Sequence, residues 1–163
     1  MFPALNLPAE FSQLLQPLFE SLPLSKAMSQ LVVTQPGPTD LVASMVRSPL
    51  IASRPVLAAG LWLYVDQLDR SHTISQAIEN PTGAFWHGIM HRREGDFWNS
   101  HYWFRHVGSH PAMKMIEGYD PHKFIDEAEA AQQKGETPVK LIELQRREWM
   151  QLFAWCASHD VNS

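Results

Sequence analysis

The chain has 163 residues, of which 45% are hydrophobic and 18% charged, and its formal net charge is −4. This length suits one domain with a buried core, and this composition excludes a largely disordered protein. The weakly acidic balance disfavours a nucleic-acid partner, because nucleic-acid-binding proteins need a basic surface.

The only cysteine, Cys156, excludes an internal disulfide and a cysteine-based zinc site. We therefore expect a reducing compartment, the cytoplasm. The N-terminus lacks a basic n-region, so no signal peptide is expected. The longest uncharged apolar run, 55–65, is too short to cross a bilayer, and we expect no membrane partner.

Residues 1–38 are rich in proline, and we expect them to form an N-terminal arm that packs on the rest of the chain. Large apolar residues recur at helical spacing between Ala9 and Glu20, which predicts a short helix. Pro17 is expected to end or kink this helix, because proline lacks the backbone N–H that a helix interior needs.

Residues 39–163 are expected to form the main domain, an all-α, single-domain helical bundle, because the apolar residues recur at helical spacing and strand-type alternation is nowhere sustained. Helices are predicted from Asp40 with Thr39 as cap, over 53–70 with Ser53 as cap, over 121–134, and from Pro138 with Thr137 as cap.

The clearest boundaries flank a predicted helix pair over 81–107. Asn80 and Pro81 are typical of a helix start. Gly95 is expected to end the first helix in a left-handed conformation, and Asp96 to cap the second, which runs to Gly108.

Residues 85–111 hold five of the eight histidines and three of the six tryptophans. On a helical wheel His87, His91 and Glu94 fall within about 60° of one another, beside an apolar face. Two histidines at i and i+4 can bind one metal ion together, and Glu94 can orient the ring of His91.

A metal site here needs a further ligand. His72 is the preferred third ligand, Asp69 is an alternative on the same segment, and His101 is the next choice. The candidate cofactor is a divalent metal: zinc, manganese or iron. Two other interpretations stay open: a metal-free acid–base site tuned near neutral pH, and histidines that only satisfy a helix interface.

The predicted helix over 97–107 is apolar around most of its circumference, and we expect it to be mostly buried. Trp98, Trp103 and Phe104 are then core residues. A buried Arg105 would need a carboxylate partner such as Asp66, Asp69 or Glu94.

The run "WHGIMHRREGDFWNSHYWFRHVGSHP", with "SHTISQ" before it, resembles a family of small helical proteins. That family repeats Ser-His-x3-Gln, then Trp-His-x3-His-Arg-Arg-Glu, then Asp-x2-Asn-x3-Tyr-Trp-Phe-Arg. The resemblance covers roughly 60–126 and brings no activity with it. The chain departs from the pattern at Trp98, where a small residue is expected, and at His106, where an arginine is expected. The resemblance implies one shared site made of His72, Gln76, His87, His91, Arg92, Glu94, Asp96, Asn99 and Arg105.

A looser resemblance links "EGDFWNSHYWFRHVG" to the second helix of a tetratricopeptide-type or Sel1-type helix pair. Only one such unit is present, and no fixed period repeats, so a stacked array is not expected.

These patterns together predict a polar pocket on the helix pair 81–107, closed by 66–76, that binds a small molecule. In the enzyme version His72, His87 and His91 hold a metal or move a proton, and Arg92 or Arg105 binds an anionic group of the substrate. The alternative is a non-catalytic interaction module whose polar residues form a structural network. An open pocket with convergent histidines favours the small-molecule site. Polar side chains that are sealed from solvent and hydrogen-bonded to one another favour the interaction module.

Overall fold

The computed structural model describes residues 5–159, and within this range the chain is a helical bundle without strands, as predicted. A 3-10 helix spans Pro111–Met115. The α-helices are α1 (Ala9–Ser21), α2 (Asp40–Met45), α3 (Pro49–Ala52), α4 (Pro55–Tyr64), α5 (Leu68–Ser75), α6 (Pro81–Glu94), α7 (Phe97–Val107), α8 (Pro121–Lys134) and α9 (Val139–Ser158).

The predicted N-terminal arm contributes α1 to the main core. Phe11, Leu15 and Leu18 are buried in the same apolar cluster as α4, α6 and α9. The helix continues through Pro17 to Ser21, so of the two expected effects Pro17 does not end the helix. Residues 1–4 of the predicted arm and 160–163 of the predicted domain lie outside the described residues.

Helices α4 and α6 form the centre of the bundle and are buried along most of their lengths. They approach closely at Gly60, where a Cβ atom would come within 2.7 Å of the Trp86 ring. Trp149 of α9 donates its indole N–H to the Gly60 carbonyl at 2.7 Å. None of the helices within 5–159 has the length and apolar character that crossing a membrane requires.

The helix predicted over 53–70 is in fact two helices. Helix α4 ends at Tyr64, and Asp66 adopts a left-handed backbone (φ 61°) that reverses the chain into α5. Arg93 stabilises this turn from α6, since its guanidinium donates to the Leu63 carbonyl at 3.0 Å and to Asp66 Oδ1 at 2.6 Å. The turn therefore sends α5 back across α6.

The predicted boundaries of α6 and α7 are confirmed. The Asn80 side chain accepts from the Gly83 N–H at 2.9 Å, Gly95 is left-handed (φ 87°), and Asp96 accepts from the Asn99 N–H at 3.2 Å. The predicted side-chain caps at Ser53, Thr39 and Thr137 are absent. Helix α4 begins after Arg54, Thr39 makes no capping hydrogen bond, and α9 begins one residue late, with Pro138 at the cap position.

Helix α7 lies at the surface, contrary to the prediction that it is mostly buried. Only Ser100, Phe104 and Val107 of this helix are buried, whereas Trp98 is 71% exposed and Arg105 is exposed. The helix packs against the rest of the chain through one narrow stripe. The number of apolar residues around a helix does not determine how many neighbouring helices surround it. Trp98 is therefore not a core residue, and Arg105 needs no buried carboxylate.

Candidate functional site

Three histidines from two helices converge beside the centre of the bundle. The ring centroids of His72 on α5 and His87 on α6 are 4.8 Å apart, and those of His72 and His91 are 5.5 Å apart. The rings of His87 and His91 are parallel, one helical turn apart, at 4.8 Å. One ring nitrogen from each residue lies within 4.8 Å of the other two, so the three rings could share one metal ion.

Two hydrogen bonds, one from α5 and one at the turn before it, hold His72 in this cluster. The hydroxyl of Ser71 donates to the Ala59 carbonyl of α4 at 2.9 Å, which joins the first turn of α5 to the core. The reversal at Asp66, stabilised by Arg93, sets the direction of α5. Since both contacts join segments distant in sequence, the position of His72 depends on the tertiary fold.

The environment of His87 favours its neutral form. Its side chain is buried, with the residue 3% exposed. Burial, and then the neighbouring His91 and His72, lower the pKa of His87 from 6.5 to about 3. A neutral imidazole has a lone pair available for a metal, so His87 is in the protonation state that ligation needs.

A polar atom of His87 is left without a partner. Its Nδ1 is buried and makes no hydrogen bond within the described part of the chain. The three rings contact one another through their faces and edges, and between residues 5 and 159 no hydrogen bond joins them. Buried polar atoms in folded proteins normally find partners, so the unpartnered Nδ1 of His87 is a candidate ligand atom.

Glu94 orients His91 as the spacing suggested. Its Oε1 lies 2.6 Å from His91 Nδ1. A carboxylate can only accept, so Nδ1 carries the proton and the neutral ring keeps its lone pair on Nε2. Asp96 lies further out, with Oδ2 4.0 Å from His91 Nδ1, and Asn99 donates to Asp96 at 2.6 Å. Residues His91, Glu94 and Asp96 form a second possible metal-ligand group.

Trp103 forms a wall of the cluster. Its ring stacks on His87 with centroids 3.9 Å apart and an angle of 17° between the planes. The sequence predicts Trp103 to be a core residue, and in the structure it is partly buried against the main core. The sequence did hold a signal for this contact: His87 and Trp103 are equally distant from Gly95, and such positions face each other across an antiparallel helix pair.

Comparison with protein-family models, curated proteins and solved structures found no match to this chain. The two resemblances seen in the sequence therefore stay predictions.

Arg92 does not face the cluster, which corrects its predicted role in substrate binding. It is completely buried on the opposite side of α6, where its guanidinium donates to both oxygens of Glu148 on α9, at 2.7 and 2.9 Å. The guanidinium also lies 3.9 Å above the Phe124 ring. Tyr119 donates its hydroxyl to Glu148 as well, and burial beside that carboxylate raises the pKa of Tyr119 well above its usual value.

Arg105, the other predicted anion-binding residue, is exposed on α7. The alternative ligand Asp69 is exposed and is not in the three-histidine group. His101 belongs to a separate pair, in which its Nδ1 lies 2.8 Å from His122 Nδ1 and its Nε2 lies 2.9 Å from Asp126 Oδ1.

Proposed function

We propose that His72, His87 and His91 bind one divalent transition metal, and that the chain uses it as a metal-assisted enzyme acting on a small molecule. The observation that carries this proposal is the convergence of three imidazoles, two of them buried, with no hydrogen bond among them in the described residues and an unpartnered Nδ1 on His87. A structural network would instead pair these groups with one another.

Three imidazole ligands favour zinc or iron(II) over manganese, which prefers oxygen ligands. A tetrahedral zinc site with Zn–N distances of about 2.1 Å would bring the ligand nitrogens to about 3.4 Å apart. The ligand nitrogens, now within 4.8 Å of one another, would need only a modest contraction. His72 has the most freedom to make this movement, because it is the least buried of the three.

Three protein ligands leave a coordination position open for water or substrate, which is typical of catalytic rather than structural sites. A bound metal of this kind supplies a water of lowered pKa or polarises a carbonyl or phosphoryl oxygen. Within the chain, Glu94 holds the proton on Nδ1 of His91, and Trp103 shields one face of His87 from water. These features support hydrolysis of a small molecule as the reaction class.

The cytoplasm remains our proposal for the location. Cys156 is buried, and burial raises the pKa of its thiol to about 12, so it has the character of an inert core residue. It offers no evidence of an oxidising compartment.

Calorimetric titration of zinc, iron(II) and manganese into tag-free, full-length protein tests the proposal. We expect binding at micromolar concentration or tighter. His87→Ala and His91→Ala should each lose most of the affinity, and the double variant should lose little more, because one ion needs both rings. Glu94→Gln should weaken binding by about 10- to 100-fold through the orientation of His91.

The matched control is His106→Ala, which removes an exposed imidazole from the neighbouring helix and should leave metal binding unchanged. Binding should weaken as the pH falls through about 6, because protons compete for imidazole nitrogens. The ring of His87 should not take up a competing proton above pH 5, since the pKa of His87 is about 3. Absence of binding at micromolar metal, or equal losses in His106→Ala and His87→Ala, would show that the cluster is not a metal site.

A further inference from the structure

A cavity of about 280 Å³ is lined in part by Trp103, the residue whose ring also stacks on His87 of the three-histidine cluster. Ile78, Pro81 and Ala84 give it an apolar wall, and Trp103 gives it an aromatic one. Ala84 precedes His87 by one helical turn on α6, so the cavity runs along the same helix that carries the cluster. Its volume is close to the lower end of small-molecule sites, which suits a compact ligand.

The charge on the cavity wall is negative. Glu79 is the only lining residue with a formal charge at neutral pH. His106 adds an acceptor: its Nδ1 lies 2.9 Å from the Tyr102 carbonyl, so Nδ1 carries the proton and Nε2 of the neutral ring keeps a lone pair. A ligand that complements this wall brings a positive charge and hydrogen-bond donors.

The aromatic wall agrees with this ligand class. The face of an indole attracts cations, and tryptophan is the strongest of the aromatic side chains in this respect. A cation with an apolar body would also bury that body against Ile78, Pro81 and Ala84. A carboxylate ligand, in contrast, would be repelled by Glu79.

We propose that this cavity binds a small organic cation, a protonated primary amine on a compact apolar body, and that it is the recognition site for the substrate of the three-histidine cluster. The second half of this statement rests on the proposed function, because it needs a reactive centre beside the cavity. The binding half does not depend on a metal.

The test is a nuclear magnetic resonance titration of full-length, metal-free protein with benzylammonium, benzyl alcohol and benzoate, which differ mainly in charge. The probe signal is the indole N–H of Trp103, assigned by its disappearance in Trp103→Phe. We expect benzylammonium to bind at millimolar concentration and to shift this signal, benzyl alcohol to bind at least fivefold more weakly, and benzoate not to bind.

Two variants locate the binding. Glu79→Gln should weaken benzylammonium binding by about two- to fivefold, the range of an exposed ion pair. Glu10→Gln removes an exposed glutamate from α1 and should change nothing. Ala84→Leu should fill the cavity and abolish binding, provided that circular dichroism shows the helical fold retained, and Glu79→Gln carries the test if it does not.

The inference is overturned if the three probes bind alike, if Glu79→Gln binds as the unaltered protein does, or if only the exposed Trp98 responds. This failure is distinct from failure of the proposed function. If the cavity does not bind amines, the results of the metal titrations would not change. If no metal binds, the cavity would still bind amines but would have no role in catalysis.

Discussion

The substitution Arg92→Met tests an ion pair in which both side chains are buried. Arg92 and Glu148 both have completely buried side chains, and two hydrogen bonds at 2.7 and 2.9 Å join them. Methionine approximates the volume of the arginine stem but leaves the Glu148 carboxylate buried without its countercharge. Breaking a buried pair on one side typically costs about 3 to 5 kcal/mol, and we expect a loss of this size.

The assay is urea unfolding followed by far-ultraviolet circular dichroism. The control is Arg105→Met, which removes an exposed arginine from α7 and should cost less than about 0.5 kcal/mol. The double variant Arg92→Met, Glu148→Gln should recover much of the loss, because it removes both charges and leaves Tyr119 an acceptor.

A loss below about 1 kcal/mol in Arg92→Met would refute the reasoning, since it would mean that the carboxylate is easily solvated. The same conclusion would follow if the stability loss of the double variant equalled the sum of the losses measured for Arg92→Met and Glu148→Gln separately. Additive losses would mean that no interaction energy joins Arg92 and Glu148, contrary to what their geometry implies.

Two further predictions concern α6. Because the pKa of His87 is about 3 in the fold and about 6.5 in an unfolded chain, protonation favours unfolding, and stability should fall as the pH drops from 6.5 towards 3. The free energy of unfolding, measured with urea, should fall by about 1 to 2 kcal/mol between pH 7 and pH 5. The variant His87→Gln should lose this part of the pH dependence. An unchanged pH dependence in that variant would contradict the prediction. Gly88→Ala should cost about 1 to 3 kcal/mol, because the new Cβ would lie 2.7 Å from the buried Phe104 ring; an unchanged thermal midpoint would show that this ring moves freely.

The parts of the site that could be predicted from sequence are those set by local rules. The ends of α6 follow from Asn80 and Gly95, and the shared face of His87 and His91 follows from their spacing of four. Placing His72 near them required only that the preceding segment fold back. Its contact with both rings agrees with that expectation, although its proposed role as a ligand remains to be tested.

The errors concern which helices are central. Helical periodicity shows which residues share a face, but it does not show how many neighbours surround the helix. We expected the aromatic α7 to be buried, and instead α6, with its arginines, is buried nearly throughout. The carboxylate that pairs with Arg92 is 56 residues away, at Glu148, and no local pattern connects the two.

If the proposed metal site is correct, the turn at Asp66 links metal binding to folding. A peptide covering only α6 and α7 would contain His87 and His91 but not His72, whose position depends on the long-range contact between Arg93 and Asp66. A metal that needs all three rings therefore binds the folded chain and not the unfolded one. By mass action, such an ion at one hundred times its dissociation constant would add about 2.7 kcal/mol to the unfolding free energy. Under the proposed function, the supply of this metal would then change the stability of the folded chain.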